Sequence, residues 1–472
     1  MSRHHRSGLA RSPGLLWRRS ARVWVLCALA VVVWALPLRE ASAVSGIRDA
    51  EIEAMLSDFS NPLFAVAGLE PQAVDIFILR DQSINAFVTR GQRMYVHTGL
   101  ITAAETPGEL KGVIAHETGH IAGGHLARTQ DAVRQATRPV IITFGLGLLA
   151  AVAGAPDVGA AVMLGSQHVA QRSLLAYSRA QESAADQAAL TYLEATGQSA
   201  QGLYTFMQNF RDMEILSARA QDPYVRSHPL SSDRMAALEN RIQSSPYRDR
   251  VDSAADQQRL DRAKAKLYGF LDEPNVTLRR FPNSDQSTEA RYARAVAYFR
   301  QPNITMALTE IDALIAEEPT NAFFHELKGQ ILFESGDPAL SVPHHRRASE
   351  LAPTMELLRL NLATALIAQP AAESLADPNR EAIEHLERVL QTEPDNAFAW
   401  RQTAIAYSRL GLQGEAQLAT AERYFAIGRF VEAAQFSARA RDQLPEGSPS
   451  WNRASDILNI AKRYAARIRA AN

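Results

Sequence analysis

The chain has 472 residues, long enough for two or three domains. Hydrophobic residues make up 46% and charged residues 21%, globular proportions that exclude disorder over most of its length. The formal net charge is −1, but the first 43 residues carry seven Arg and one Glu. The remaining body, with 43 basic and 50 acidic residues, stands at −7, which argues against a nucleic-acid binder.

Residues 1–43 read as an export signal. A basic stretch ending at Arg22 precedes the apolar run Val23 to Leu36, and small residues follow at Ala41-Ser42-Ala43. The fourteen apolar residues are short of the roughly 20 that a bilayer span needs. An uncleaved anchor is the alternative. The one cysteine, Cys27, lies inside the run, so a chain processed after Ala43 would hold no disulfide. This pattern suits a bacterial periplasm.

Residues 74–101 read as strands. Val74 to Leu79 is rich in β-branched and aromatic residues, and Ile84 to Ile101 reads as a hairpin turning near Arg90-Gly91. A helix is expected from Thr106, a capping residue followed by Pro107 and Glu109, continuing as one or two helices to about residue 130. Residues 139–170 are apolar, rich in Gly and Ala, and broken at Gly154 to Asp157. They read as a buried or lid-like helical hairpin, with peripheral membrane or partner contact as the alternative. Helices resume over Arg172 to Gly197, where Gly197 is a natural stop, and over Ser227 to Ile242.

Past residue 270, Ala-rich helical pairs recur. Pro319 and Pro353 are 34 residues apart and Pro394 lies 41 further on, the excess matching an insertion near Gln369 to Pro378. In that register Ala295, Gly329 and Ala363 share a small-residue position. This resembles a tetratricopeptide array, a solenoid whose concave face takes a peptide or protein. The expected fold class is mainly α (α+β). A first domain with a small β-sheet would span 44–270, and an α-helical repeat solenoid 271–472.

The chemistry centres on His116-Glu117-Thr118-Gly119-His120. On a helix, residues i and i+4 share a face, so both imidazoles can converge on one metal ion. Glu117 projects about 100° away and would stand beside an attacking water rather than on the metal. His125 nearly completes a longer histidine motif, but on a continuous helix it points away from His116 and His120, and it reads as a helix-end residue or a support for a ligand rather than as a ligand. A third ligand is required; Glu182 is one of several helical carboxylates that could supply it, with Asp186 one turn later. Asp186 could hold a ligand histidine by its other ring nitrogen.

The pair of motifs, H-E-x-x-H and then Ser178-Arg179-Ala180-Gln181-Glu182-Ser183-Ala184-Ala185-Asp186, resembles the M48 family of zinc metallopeptidases. The stretch Asn85 to Ile101 is also similar to that family. With the signal and the repeats, the resemblance extends to a periplasmic branch. It implies a zincin-like metallopeptidase domain over 44–270, with one Zn2+ per chain held by His116, His120 and Glu182 and with Glu117 as the base. It also points to His228 and Arg234 in H-P-x-x-x-x-R. His228 is either a catalytic group that stabilises an oxyanion or a fourth ligand that holds the enzyme off, and Arg234 either binds substrate or positions His228.

The function expected is a zinc endopeptidase acting on misfolded or stalled envelope polypeptides. The resemblance implies the outer-membrane protein assembly machinery as partner of the repeats. A chaperone or adaptor with a structural or closed metal site is the non-enzymatic rival, and an integral-membrane peptidase the other.

Overall fold

In the computed structural model, residues 45–129, 177–216, 228–369 and 377–471 are described. The export signal (1–43), the apolar segment 139–170 and most of the insertion (370–376) lie outside the described residues. Among the described residues no helix is long and apolar enough to cross a membrane.

The sheet comes first. Its strands are β1 (Gly46–Ile47), β2 (Asp75–Leu79), β3 (Ala86–Thr89) and β4 (Arg93–His97), in the order β1-β2-β4-β3. β3 and β4 form the expected hairpin. Its turn uses Gly91 and Gln92 at φ of 83° and 56°, the positive values that a short hairpin connection requires. β2 pairs in parallel with β4, so β3 is an edge strand. One face of the sheet supplies Ile78, Ala86, Val88, Met94 and Val96 to the core.

The structure corrects the expected end of the strand region: Thr98–Ala103 is a helix, α2. Thr98 Oγ1 and the Gly99 amide both donate to the Asp81 carbonyl, which folds the chain over the loop after β2. A Cβ at Gly99 would lie 2.2 Å from the Gln82 carbonyl oxygen, so only glycine permits this approach. The local β-branched character lost to that tertiary contact.

Against the inner face of the sheet pack α1 (Ala50–Val66) and α3 (Pro107–Ala122), then the helix over 177–195, α4, and α5 (Gln201–Leu216), α6 (Ser232–Ser244) and α7 (Ala254–Leu271). α3 starts as its sequence requires. Thr106 caps it by accepting from the Glu109 amide, Pro107 opens the first turn, and the Glu109 carboxylate reaches back to the Glu105 amide. Nearly every residue of α3 is buried, so its polar residues face other protein groups rather than water. α4 ends at Gly197, whose φ is 70°.

After the short α8 (Pro274–Arg280), five antiparallel pairs follow. They are α9 (Thr288–Arg300) with α10 (Ile304–Glu317), α11 (Ala322–Glu334) with α12 (Pro338–Leu351), α13 (Glu356–Ala368) with α14 (Pro378–Thr392), α15 (Ala397–Arg409) with α16 (Gln413–Ala426), and α17 (Phe430–Gln443) with α18 (Pro449–Ala471). Pro319, Pro353 and Pro394 each stand two residues past the second helix of a pair. Ala295 and Ala363 are fully buried, and at Gly329 the His345 ring leaves 2.8 Å for a Cβ. The shared small-residue position is therefore a close helix crossing.

α7 joins the two halves. Leu260, Ala263 and Leu267 enter the core under the sheet, while Gly269 lies against Val296 of α9. Beside them Lys266 is buried, with its Nζ 2.8 Å from Asp49 and 3.4 Å from Glu326. Tyr292 donates to Glu51 at 2.8 Å, and Arg262 lies 3.3 Å from the same carboxylate. Removing one partner from such a cluster leaves its counter-charges buried without compensation. Lys266→Ala is expected to lower unfolding free energy by about 3–5 kcal/mol, read from chemical denaturation; a loss below about 1 kcal/mol would show that the cluster behaves as a surface pair.

Candidate metal centre

Three segments bring the polar residues together. α3 contributes His116, Glu117 and His120, α4 contributes Glu182 and Asp186, and the turn before α6 contributes His228, with Arg234 on α6 itself. All seven are buried. α4 reaches α3 because residue 119 is glycine. A Cβ there would lie 2.9 Å from the Ala185 carbonyl oxygen and 3.0 Å from the Ala185 Cα. Backbone meets backbone at that point, which sets Glu182 and Asp186 on either side of the contact, facing His116.

The donor atoms converge. His120 Nε2 lies 3.1 Å from His116 Nε2, and each of these nitrogens is 3.4 Å from a Glu182 oxygen. His228 Nδ1 stands 3.2 Å from His116 Nε2 and 3.0 Å from Glu182 Oε2. One ligand atom from each of His116, His120, Glu182 and His228 falls within 4.8 Å of all the others. Nitrogen and oxygen ligands about 2.0–2.1 Å from a tetrahedral zinc ion would be roughly 3.3–3.4 Å apart. The spacing and the N/O donor types therefore fit a small divalent metal.

Electrostatics point the same way. Burial works against charge on His116, yet Asp186 and Glu182 outweigh it and push its pKa up to about 10. Burial also opposes charge on Glu182 and Asp186, but the histidines, and Arg234 beside Asp186, hold both carboxyls below their usual range. His120 is held down to about 2 by burial and by charge on His116. Between protein groups alone, the cluster demands positive charge at its centre and accepts one proton there. A dication answers that demand with the imidazoles neutral, as ligation requires.

The outer contacts orient the inner ones. His116 Nδ1 stands 2.9 Å from Asp186 Oδ1. Asp186 is clamped by Arg234, whose Nε and Nη2 donate to it at 2.7 and 2.8 Å. Arg234 Nη1 also donates to the Pro229 carbonyl at 2.8 Å, tying the His228 turn to the clamp. Arg234 thus faces inward. Glu117 is wholly buried, with His228 Nε2 at 3.3 Å from its Oε1, and among the described residues neither of its oxygens accepts a hydrogen bond. Burial raises its carboxyl above the ordinary value, which suits a proton acceptor working near neutrality.

Sequence reasoning on a continuous helix turned His125 away from this cluster. The structure breaks the helix at Gly123-Gly124, with Gly124 at φ 62°, and starts a new turn over 125–129. His125 Nδ1 then returns to 3.0 Å from His120 Nδ1, on the side opposite the donor cluster. A side chain at 123 would meet the His125 ring at 2.5 Å, so both glycines serve this fold-back. The Gly-Gly pair was the available signal. His97 is buried elsewhere, against Ser83 and the Phe87 edge.

Residues 47–242 match the family model described as Peptidase family M48, and that segment contains every residue of the cluster. The chain carries an M48 peptidase domain and is a metallopeptidase. Its curated relatives include a Beta-barrel assembly-enhancing protease of Yersinia pestis, 25% identical over 90% of this chain and 86% of that one. The protein of the same name from Escherichia coli (strain K12) is 26% identical over 79% of this chain and 75% of that one. A Vibrio cholerae protein, Putative beta-barrel assembly-enhancing protease, is 26% identical over 85% and 82%.

If the Gly119–Ala185 contact seats Glu182, Gly119→Val should push α4 outward. Stability is expected to fall by about 1–3 kcal/mol, and purified protein should retain much less metal. Metal analysis and denaturation together test this; full metal content would show that Glu182 does not depend on the contact.

Proposed function

We propose that this chain is a zinc endopeptidase of the bacterial envelope that cleaves misfolded or stalled polypeptides. In this reading 1–43 is the cleaved export signal, 44–270 the catalytic domain and 271–472 the repeats. The observation that carries it is the buried convergence of His116, His120 and Glu182 with a buried carboxylate beside them, Glu117, whose oxygens accept no hydrogen bond among the described residues. His116, His120 and Glu182 hold one zinc ion. When bound, zinc supplies Lewis-acid polarisation of a scissile carbonyl and of a water. Glu117 takes the proton of the attacking water at a carboxylate oxygen and returns it to the leaving amine. Asp186 fixes the His116 ring through Nδ1, and Arg234 holds Asp186.

His228 decides whether the centre is open. Its Nδ1 stands at the fourth corner of the donor set and its Nε2 faces Glu117. This supports the reading in which His228 holds the enzyme off until its turn moves. The alternative role, stabilising the oxyanion, needs the same ring displaced from that corner. The names of the relatives support a place in β-barrel assembly, with the repeats recruiting the assembly machinery. A non-proteolytic adaptor with a permanently closed centre is the competing reading, and the His228 position is what favours it.

Glu117→Gln is expected to lower cleavage of an unfolded substrate by at least about 100-fold while zinc content stays at one per chain; unchanged cleavage would refute the mechanism. Chelation should abolish activity and added zinc restore it. His228→Ala separates the two roles. Faster cleavage supports the gate, and a fall of about 100-fold with metal retained supports the oxyanion. Wild type and His228→Ala both binding zinc without cleaving anything would favour the adaptor.

A further inference from the structure

His116 and His120 are each supported from outside the donor set. His116 has Asp186 at its outer nitrogen, and Arg234 holds that carboxylate. His120 has a counterpart that the chemistry above leaves unused. Its Nδ1 lies 3.0 Å from Nδ1 of His125, a buried residue just past the end of α3, and the two rings meet edge to face at 82°. Among the described residues no other group bonds to His120 Nδ1.

His125 is itself held in place. Thr129 Oγ1 donates to its carbonyl at 2.7 Å, and Gln181 Nε2 donates to the same oxygen at 3.0 Å. Gln181 directly precedes Glu182 on α4. The turn that carries His125 is therefore tied to the helix that carries the carboxylate donor.

These contacts decide where the protons sit. His120 directs Nε2 into the donor set, 3.1 Å from His116 Nε2 and 3.4 Å from Glu182 Oε1. To ligate through Nε2, a neutral imidazole carries its proton on Nδ1. That N–H needs an acceptor, because a buried donor without one costs free energy. His125 Nδ1 can accept only when its own proton is on Nε2. If His125 donated instead, the His120 proton would move to Nε2, in the middle of the cluster, and block ligation there.

We infer that His125 is a positioning residue for His120. Its Nδ1 accepts from His120 Nδ1–H and so fixes both the tautomer and the orientation of that ring. The inference rests on reading His116, His120 and Glu182 as the metal ligands. It adds an uncharged acceptor on His120 to match the anionic one on His116. Gln181 acts through His125, by holding its turn.

Zinc affinity of the full-length protein tests this, measured at one pH by competition with a chelator of known affinity. His125→Phe keeps a flat ring but removes the acceptor, and is expected to weaken zinc binding about 10–100-fold. His125→Asn puts an amide oxygen where Nδ1 stands, and is expected to bind zinc within about threefold of wild type. Gln181→Leu should weaken binding severalfold. With cobalt(II) as the probe, the visible absorption bands of wild type and His125→Asn should coincide, while those of His125→Phe shift. Far-UV circular dichroism and denaturation of the metal-free proteins check that each variant folds; if His125→Phe does not, His125→Ala replaces it beside His125→Asn. Wild-type affinity without the acceptor overturns the proposal. So does a His125→Asn variant as weak as His125→Phe, since the ring would then serve packing alone. In both cases the reading of the metal ligands survives. A wild-type protein that binds no zinc removes that reading, and the proposal with it.

Discussion

The metal centre depends on two helices touching through their backbones. Gly119 lies against Ala185 at a distance that no side chain at position 119 would tolerate. α3 supplies nitrogen donors and α4 supplies carboxylates, and neither helix alone can make a centre. Close packing at one glycine turns two helices into a single rigid donor set, because buried helices meet in fixed rather than sliding geometries. The remaining contacts lock that arrangement. Arg234 joins Asp186 to the Pro229 carbonyl, so the loop bearing His228 is tied to the same pair of helices.

Much of this was legible in the sequence. The cap at Thr106, the hairpin turn at Gly91 and the stop at Gly197 are local signals, and the structure uses each of them. The repeats were legible because proline is disfavoured inside helices, and Pro319, Pro353 and Pro394 recur just past the ends of helix pairs. His116 and His120 follow from helix periodicity. Glu182 does not; periodicity offers several acidic residues, and only the resemblance singled it out before the structure brought it within 3.4 Å of both histidines.

Other features depended on tertiary contacts that no local pattern records. Thr98 to Ile101 has strand-like composition but becomes helix because Asp81 captures two of its donors. His125 returns to His120 only because two glycines break α3, and helix periodicity carried across that break gives the wrong face. The buried Lys266 cluster was equally invisible. Its members, Asp49, Glu51, Tyr292 and Glu326, are spread over most of the chain and read singly as ordinary surface residues.

That cluster also has a consequence in time. Ala50 packs among Ala322, Ala348 and Leu358, and Arg48 pairs with Glu393 across 345 positions of sequence. The first turn of α1 thus finds its neighbours in helices made long after the donor cluster. Contacts so distant in sequence form late, since the loop they close must be complete first. A chain built this way completes α1 only when its helical repeats are present. Its metal-centre segment and its repeats mature as one event.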